Sequence, residues 1–334
     1  MPQTLHSASM HRRTLLSLAA AALCSPMAWA QAYPTKPIRL VVPFPAGGAT
    51  DLLARALAQR LSQGLGQTVV VENKSGGGGS LGSAEVAKAA PDGYTLLIAT
   101  SSTHAIGPHL NPKLPYKTTG SDSDFTPIAH VADATNVLLV PLDLPVKSVK
   151  ELIAYAKARP GQLNYASSGN GTIVHLTSEA FKAQAGIYVT HIPYRGTALA
   201  IPDLVSNKVQ ILFDSIVSGM PHVKDGKLRA LAVTGRTRSA LAPELPTVSE
   251  SGLPAFVSTT WFGIYGPRGL PADITAKLNA EFNKAMQSAE VRERMARLGA
   301  DVAAANTPAQ FAAMVQADSA RWATLIRDRK ISLD

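Results

Sequence analysis

Four short stretches of this chain gather glycine, serine and threonine where an apolar run gives way to a helix-like pattern. They are PFPAGGATD (43–51), TSSTH (100–104), SSGNGT (167–172) and PYRGT (193–197). A helix N-terminus presents unpaired N–H groups and about half a positive charge, so a carboxylate is favoured there. Glycines let a ligand reach the backbone closely, and Ser/Thr hydroxyls add donors. In PYRGT, Arg195 is available as a cation. If these loops converge, they hold an organic acid without any catalytic group. Taken singly, each is also what a tight turn with a capped helix looks like. Four of them in one chain point to a binding protein.

Other chemistries fit less well. In TVVVENKSGGGGSLGSAEVAKAA, Gly77, Gly79 and Gly82 satisfy G-x-G-x-x-G. A nicotinamide site also needs an acidic residue at the far end of the next strand, for the ribose. That strand, Tyr94–Ala99, ends in Thr100-Ser101-Ser102, and Asp92 precedes it, at the wrong end. The chain has no G-x-x-x-x-G-K-[ST] phosphate loop, and no local pattern nominates a nucleophile. His104 and His109, with Asp122 and Asp124, lack the spacing of a metal site, and loop-packing histidines are the better account. No cofactor and no metal are expected.

The elements that must position these loops alternate. Ile38–Val42 is an apolar run suited to a buried parallel strand, and the helix after it carries Leu53, Leu57 and Leu61 on one face. Thr50 or Asp51 is placed to cap that helix. The plan repeats as strand 68–73, glycine loop and helix 80–90. Ser148 with Glu151 forms a capping box for a helix over Val149–Ala158. Asp214 follows an expected strand Val209–Phe213. Near the C-terminus, Ile274, Leu278, Phe282 and Met286 share a helical face. A last helix starts at Thr307-Pro308, with Gln310 at its third position, and buries Phe311, Val315, Trp322 and Ile326. The alternation predicts α/β layers with mostly parallel sheets, whose ligands sit beyond the carboxyl ends of the strands.

The N-terminus follows different rules. His11, Arg12 and Arg13 form a basic region, TLLSLAAAALC is a short apolar core, and Ala28-Trp29-Ala30 supplies a cleavage pattern. Residues 1–30 read as a secretory signal cleaved after Ala30. The apolar run is too short for a membrane anchor. The only cysteine, Cys24, lies inside that segment, which leaves the mature chain without a disulfide, a thiol nucleophile or a zinc–thiolate site. Its net charge drops from +9 to +7, with the basic residues spread out. Without a basic stripe, no nucleic-acid partner is expected, and the modest positive field suits small anions.

Longer stretches carry a resemblance. YPTKPIRLVVPFPAGGATDLLARALAQRLSQGLGQTVVVENKSGGGGSLG, APDGYTLLIATSSTHAIGP, LNYASSGNGTIVHL, HIPYRGTALAIPDL, ILFDS, GKLRALAVTGRTRSALAPELPTVSESGLP and WFGIYGP, in this order, resemble the tripartite tricarboxylate transporter substrate-binding (Bug-type) receptors over residues 33–320. The resemblance implies an α/β, two-lobed periplasmic-binding-protein-like (type II) fold that closes around a cleft. It places chain crossings near Asn136–Pro141 and Ser258–Tyr265. Residues 31–135 plus 258–334 would then form lobe one, and 136–257 lobe two.

The implied ligand is a small carboxylate or aromatic acid. It would meet Phe44, Ala46, Gly47, Gly48, Thr50 and Asp51, with Ser101, Ser102 and Thr103 beside them. From lobe two would come Ser168, Gly169, Asn170, Gly171, Thr172 and His175, then Tyr194, Arg195, Gly196, Thr197 and Asp214. Asp51 has the alternative of capping its helix, and His175 that of packing under its loop. Family members often carry a second proline where Ala46 stands, a less uniform glycine loop than Gly76–Gly79, and a shorter 117–125 segment. The implied product is a monomeric, non-enzymatic periplasmic receptor that delivers its ligand to membrane permease subunits. The rival readings are presentation to a sensor partner and an exported α/β enzyme.

Overall fold

The computed structural model describes residues 33–329, and the expected signal segment 1–30 lies outside the described residues. The chain opens as the apolar periodicity requires. Strand β1 (Ile38–Val42) leads into helix α1 (Ala49–Leu65), then β2 (Val69–Asn73), a 3₁₀ turn (Gly77–Gly79), α2 (Ser80–Ala87) and β3 (Thr95–Thr100). β1 pairs in parallel with both β2 and β3. Leu53, Leu57 and Leu61 of α1 are at most 1% exposed, and burying one leucine side chain contributes roughly 1.5–3 kcal/mol. α2 stops at Ala87, short of the expected Ala90, in the turn that leads to Pro91.

A π-helical turn (Ser102–Ile106) and the short α3 (Gly107–Leu110) follow β3, and then β4 runs from Phe125 to Pro141. Next come α4 (Val149–Lys157), β5 (Asn164–Ser167), α5 (Ile173–Ala185), β6 (Thr190–Pro193), α6 (Thr197–Val205), β7 (Ile211–Ser215), α7 (Ile216–Lys224) and β8 (Leu228–Val233). The chain ends with β9 (Thr259–Pro267), α8 (Ala272–Gln287), α9 (Ala289–Leu298), the two-residue β10 (Asp301–Val302) and α10 (Pro308–Arg329).

The capping side chains engage, although the Glu151 carboxylate accepts from Lys147 N instead of closing the expected box on Ser148 N. Ser148 Oγ accepts from Glu151 N, and Thr307 and Gln310 satisfy each other's amides with their side chains. Leu278, Phe282 and Met286 of α8 are buried, as are Phe311, Val315, Trp322 and Ile326 of α10. Among the described residues no helix is long and apolar enough to cross a membrane.

The strands form one curled path, β2-β1-β3-β9-β4-β7-β5-β6, with β8 and β10 also on β4. The parallel pairings are β1 with β2 and β3, and β5 with β6 and β7. The middle of the sheet is antiparallel, which the expectation of mostly parallel sheets missed. β9 pairs with β3 and β4, and β4 with β7 and β8. The reason is β4 itself. Its residues Phe125–Thr135 pair with β9, and from Asn136 onward its partners are β7 and β8. One continuous strand thus serves both parts of the sheet, where a βαβ crossover would have kept them parallel.

Candidate ligand-binding site

The carboxyl ends of β3 and β7 and the middle of β4 converge on one cavity. Its floor carries Thr100, Asn136, Asp214, Ser215, Thr260 and Phe262, while Phe44, Gly48, Ser102, Ser168 and Gly196 stand among its walls. The first residues of three helices open onto it: Ala49 and Thr50 of α1, Ile173 and Val174 of α5, Thr197 and Ala198 of α6. α1 and α6 are preceded by Gly48 and Gly196, neither of which supplies a side-chain cap. Their leading N–H groups are therefore available to an anion. Asp214 is the one formally charged side chain of the lining.

Of the residues expected from sequence, Phe44, Gly48, Thr50, Ser102, Ser168, Gly196, Thr197 and Asp214 line the cavity. The others do not reach it, and most of them hold the loops in place. Asp51 was expected as a possible cap residue, but the N-cap of α1 is Gly48 and Asp51 lies in the first turn. From there its carboxylate accepts from Gly47 N at 2.9 Å, Arg55 Nε at 3.0 Å and Asn73 Nδ2 at 3.1 Å. Burial pushes this carboxyl up, but the bonds from Arg55, Gly47 and Asn73 outweigh it and hold the pKa below the usual value. Asn73 also donates to Phe44 O at 3.0 Å, so one buried acid ties the 43–51 loop to β2. Ala46 and Gly47 are exposed at the loop tip.

Thr103 folds back on β3, where its hydroxyl accepts from Thr100 N at 3.2 Å and meets the His104 ring at 3.0 Å. His104 is buried among Tyr116, Phe125 and Tyr265, and burial drives its pKa down to about 3. His109 turns to Ser319 Oγ at 2.8 Å. The buried Ser101 packs beside them.

Beneath the 168–172 loop lies a stack of rings. His175 Nδ1 accepts from Gly171 N at 3.2 Å. Its ring stacks on His191 at 4.3 Å, and His191 stacks on Tyr165 at 4.7 Å. His191 Nε2 bonds Ser167 Oγ at 2.6 Å, and that hydroxyl accepts from Gly169 N at 3.1 Å. Burial lowers the pKa of both imidazoles, that of His191 to about 4, where the neighbouring His175 adds to the effect. Thr172 caps α5, accepting from His175 N and donating to Gly169 O at 2.8 Å. His175 thus packs under its loop, and the exposed Asn170 carries only backbone toward the other wall.

Tyr194 turns away to donate to Asp203 Oδ2 at 2.8 Å. Arg195 is exposed and lines a separate depression with Ser75, Gly76, Gly77 and Leu81. Asp214 does not follow its strand as expected. It is the penultimate residue of β7, because that strand begins two residues later and runs two further than the apolar run alone suggests. Its oxygens accept from Ser215 N and Ser218 Oγ, both at 2.8 Å, and burial raises its pKa.

The stretch 100–104 contains Thr100, although the residues expected to meet the ligand began at Ser101; sequence reasoning missed Asn136, Ser215, Thr260 and Phe262. The available signal was a polar residue interrupting an apolar strand, as Asn136 does in TNVLLVP.

The walls touch each other. Ser102 Oγ accepts from Ile173 N at 3.0 Å. A Cβ on Gly169 would lie 3.2 Å from Gly78 Cα, and one on Gly196 would lie 2.3 Å from Pro45 Cδ. Gly82, the last glycine of the G-x-G-x-x-G match, lets α2 pack on the loops after β1 and β2, because a Cβ there would meet Pro43 Cα at 3.0 Å and Lys74 O at 2.8 Å.

A cavity at the strand ends of a divided α/β sheet, walled by helix starts from both parts, defines a solute-binding protein. The chain belongs to the tripartite tricarboxylate transporter receptor family, whose model matches residues 53–331. It is 39% identical to BugT of Bordetella pertussis over 312 residues, covering 93% of this chain and 94% of that protein. Three solved structures are similar throughout. The periplasmic binding protein BugD superposes with a TM-score of 0.85 at 35% identity, covering 90% of this chain and 99% of that one. An R. palustris protein with adipate gives 0.86 at 36% identity, with the same coverage. MatC of Rhodopseudomonas palustris, with bound malate, gives 0.83 at 35%, covering 88% and 100%.

Proposed function

We propose that this chain is an exported periplasmic receptor that captures a small organic acid and hands it to the membrane permease subunits of a tripartite tricarboxylate-type transporter. The observation that carries the reading is the convergence of three helix starts on a cavity without a cationic side chain. A carboxylate in that cavity is held by N–H groups and hydroxyls, which stabilise the anion through hydrogen bonds and the helix dipoles. Adipate and malate, held by two structural relatives, are acids of this kind.

Residues 31–135 with 258–334 act as one lobe and 136–257 as the other, with β4 and the start of β9 as the crossings. The carboxylate contacts Gly48, Thr50 and Ser102 from one side and Ser168, Gly196 and Thr197 from the other. It therefore favours the closed arrangement in which both sides reach it. The signal segment is removed after Ala30, and the mature chain works as a monomer without cofactor or metal. The lining has no imidazole, amine or thiol, which supports capture over turnover.

Mass spectrometry of the ligand released from purified mature protein, with a thermal-shift panel of mono-, di- and tricarboxylates and aromatic acids, tests this reading. Release of an unchanged acid that raises the midpoint on re-addition is the expected result. Chemical conversion of that acid by the protein, or no response to any acid, would overturn it.

A further inference from the structure

Two polar atoms on the cavity floor have no partner within the protein. Asn136 Nδ2 and Thr100 Oγ1 are both shielded from solvent, on residues 1% and 2% exposed. Both residues line the cavity, and neither is paired away by its own surroundings. The Asn136 backbone is fully engaged, its N–H donating to Thr234 Oγ1 at 2.9 Å and its carbonyl accepting from Thr234 N at 2.8 Å. The Thr100 amide is held by Thr103 Oγ1. The strands are thus secured without these two side chains. An unpaired buried donor destabilises a fold, whereas an apolar side chain of the same shape would be neutral or stabilising there. Thr260 adds a further hydroxyl to the same floor. The helix starts that suit an anion belong to the walls. Asp214, on β7, gives the floor a negative neighbour that disfavours a second full charge.

Resting on the reading of the cavity as an organic-acid site, we infer that Asn136 and Thr100 form a second subsite, one that takes a neutral oxygen of the ligand. The preferred ligand is then an acid whose carboxylate meets the helix starts and whose hydroxyl or keto oxygen accepts from Asn136 Nδ2 and pairs with Thr100. A straight-chain monocarboxylate of the same length leaves both floor groups unpaired and binds more weakly. A site built to hydrogen-bond a substrate oxygen rejects the analogue that lacks it, because its own polar groups are left stranded.

The test is calorimetric titration of the mature protein with straight-chain acids from propanoate to octanoate. Each acid is used as the parent, as its hydroxy and keto derivatives, and as the dicarboxylate. The wild type should prefer the best oxygenated acid over its parent by roughly tenfold or more. Thr100→Val keeps the side-chain shape and removes only the hydroxyl, and Asn136→Leu does the same for the amide. In each variant the preference ratio should collapse toward one, while the melting temperature of the ligand-free protein holds or rises. An unchanged ratio in Thr100→Val overturns the inference, whether or not Asn136→Leu folds. A wild type that binds parent and oxygenated acids equally, or prefers dicarboxylates, overturns it too and leaves the receptor reading standing. Binding of none of these acids overturns this inference, while the receptor reading is then decided by the wider panel that includes tricarboxylates and aromatic acids.

Discussion

Ser102 and Ile173 stand 71 residues apart in the chain, yet the Ile173 amide donates to Ser102 Oγ at 3.0 Å. The bond joins the turn after β3 to the first residue of α5, and both residues line the cavity. Ser102→Ala removes the acceptor and weakens whatever holds the two walls together. Affinity for the released acid should fall roughly fivefold to tenfold, the worth of one such hydrogen bond. Titration calorimetry checks this, and wild-type affinity would show that the bond is not part of the ligand-competent state.

Close approach of the walls depends on glycine. At Gly196, with φ of 151°, a Cβ would lie 2.3 Å from Pro45 Cδ and 2.7 Å from Cγ. Gly196→Ala should hold the walls apart and cost affinity on the order of a hundredfold, since only the closed fraction binds well. Small-angle scattering at saturating acid should show the variant at its ligand-free radius of gyration and the wild type more compact. Equal compaction in both would remove this contact from the account of closure.

Acid should destabilise the protein well before its carboxylates titrate. His104 and His191 are depressed from 6.5 to about 3 and about 4, chiefly by burial, and His175 is lowered as well. These rings stay neutral in the fold while the unfolded chain takes up protons near pH 6.5. The stability they contribute is fully present above about pH 6.5 and is lost progressively as the pH falls toward 4. Asp214, with its raised pKa, works in the opposite sense and offsets part of the loss. Melting temperatures of the ligand-free protein from pH 7 to 4.5 should decline steadily. His104→Phe, which keeps a ring among Tyr116, Phe125 and Tyr265, should flatten the slope, and an unchanged slope would assign the acid sensitivity elsewhere.

Arg195 separates two modes of anion recognition. It is exposed, in a depression of its own beside Gly76 and Leu81. Recognition by helix starts predicts that Arg195→Ala changes affinity at moderate salt by no more than about threefold, as expected for an exposed charge. A loss of tenfold or more in equilibrium dialysis would bring the cation into the site.

Much of this arrangement was legible in the sequence, for local reasons. Ser148 with Glu151 and Thr307 with Gln310 mark helix starts whatever surrounds them, because a capping box is satisfied within one turn. Leu53, Leu57 and Leu61 declare a buried face by spacing alone. The loops were visible as clusters of glycine and hydroxyls. What their side chains do was not, since that depends on partners distant in sequence. Asp51 looks like a cap or a ligand, and only the approach of Arg55 and Asn73 makes it a brace for its loop. His175 becomes a prop when His191 is laid against it. The cavity floor was hidden because Asn136 and Thr260 sit in strands whose pairing leaves no local trace, and a lone polar residue at Asn136 does not say that β4 changes partners there.

Several helix starts are finished by a side chain: Ser148, Thr172, Ser215 and Ser288 each accept from an amide in the first turn of the helix they open. α1 and α6 open at bare glycines instead, and both starts face the cavity. A side-chain cap contributes about 0.5–2 kcal/mol over alanine, and under the proposed function an incoming carboxylate takes over that role. The ligand is in this sense an exchangeable piece of secondary structure, completing two helices that the polypeptide leaves unfinished. Because the backbone demands only an oxygen anion at the right place, one scaffold can accept acids of many outlines. Sorting among them falls to the few side chains at the far end of the cavity, where exchanging a residue alters the choice of cargo without disturbing the grip.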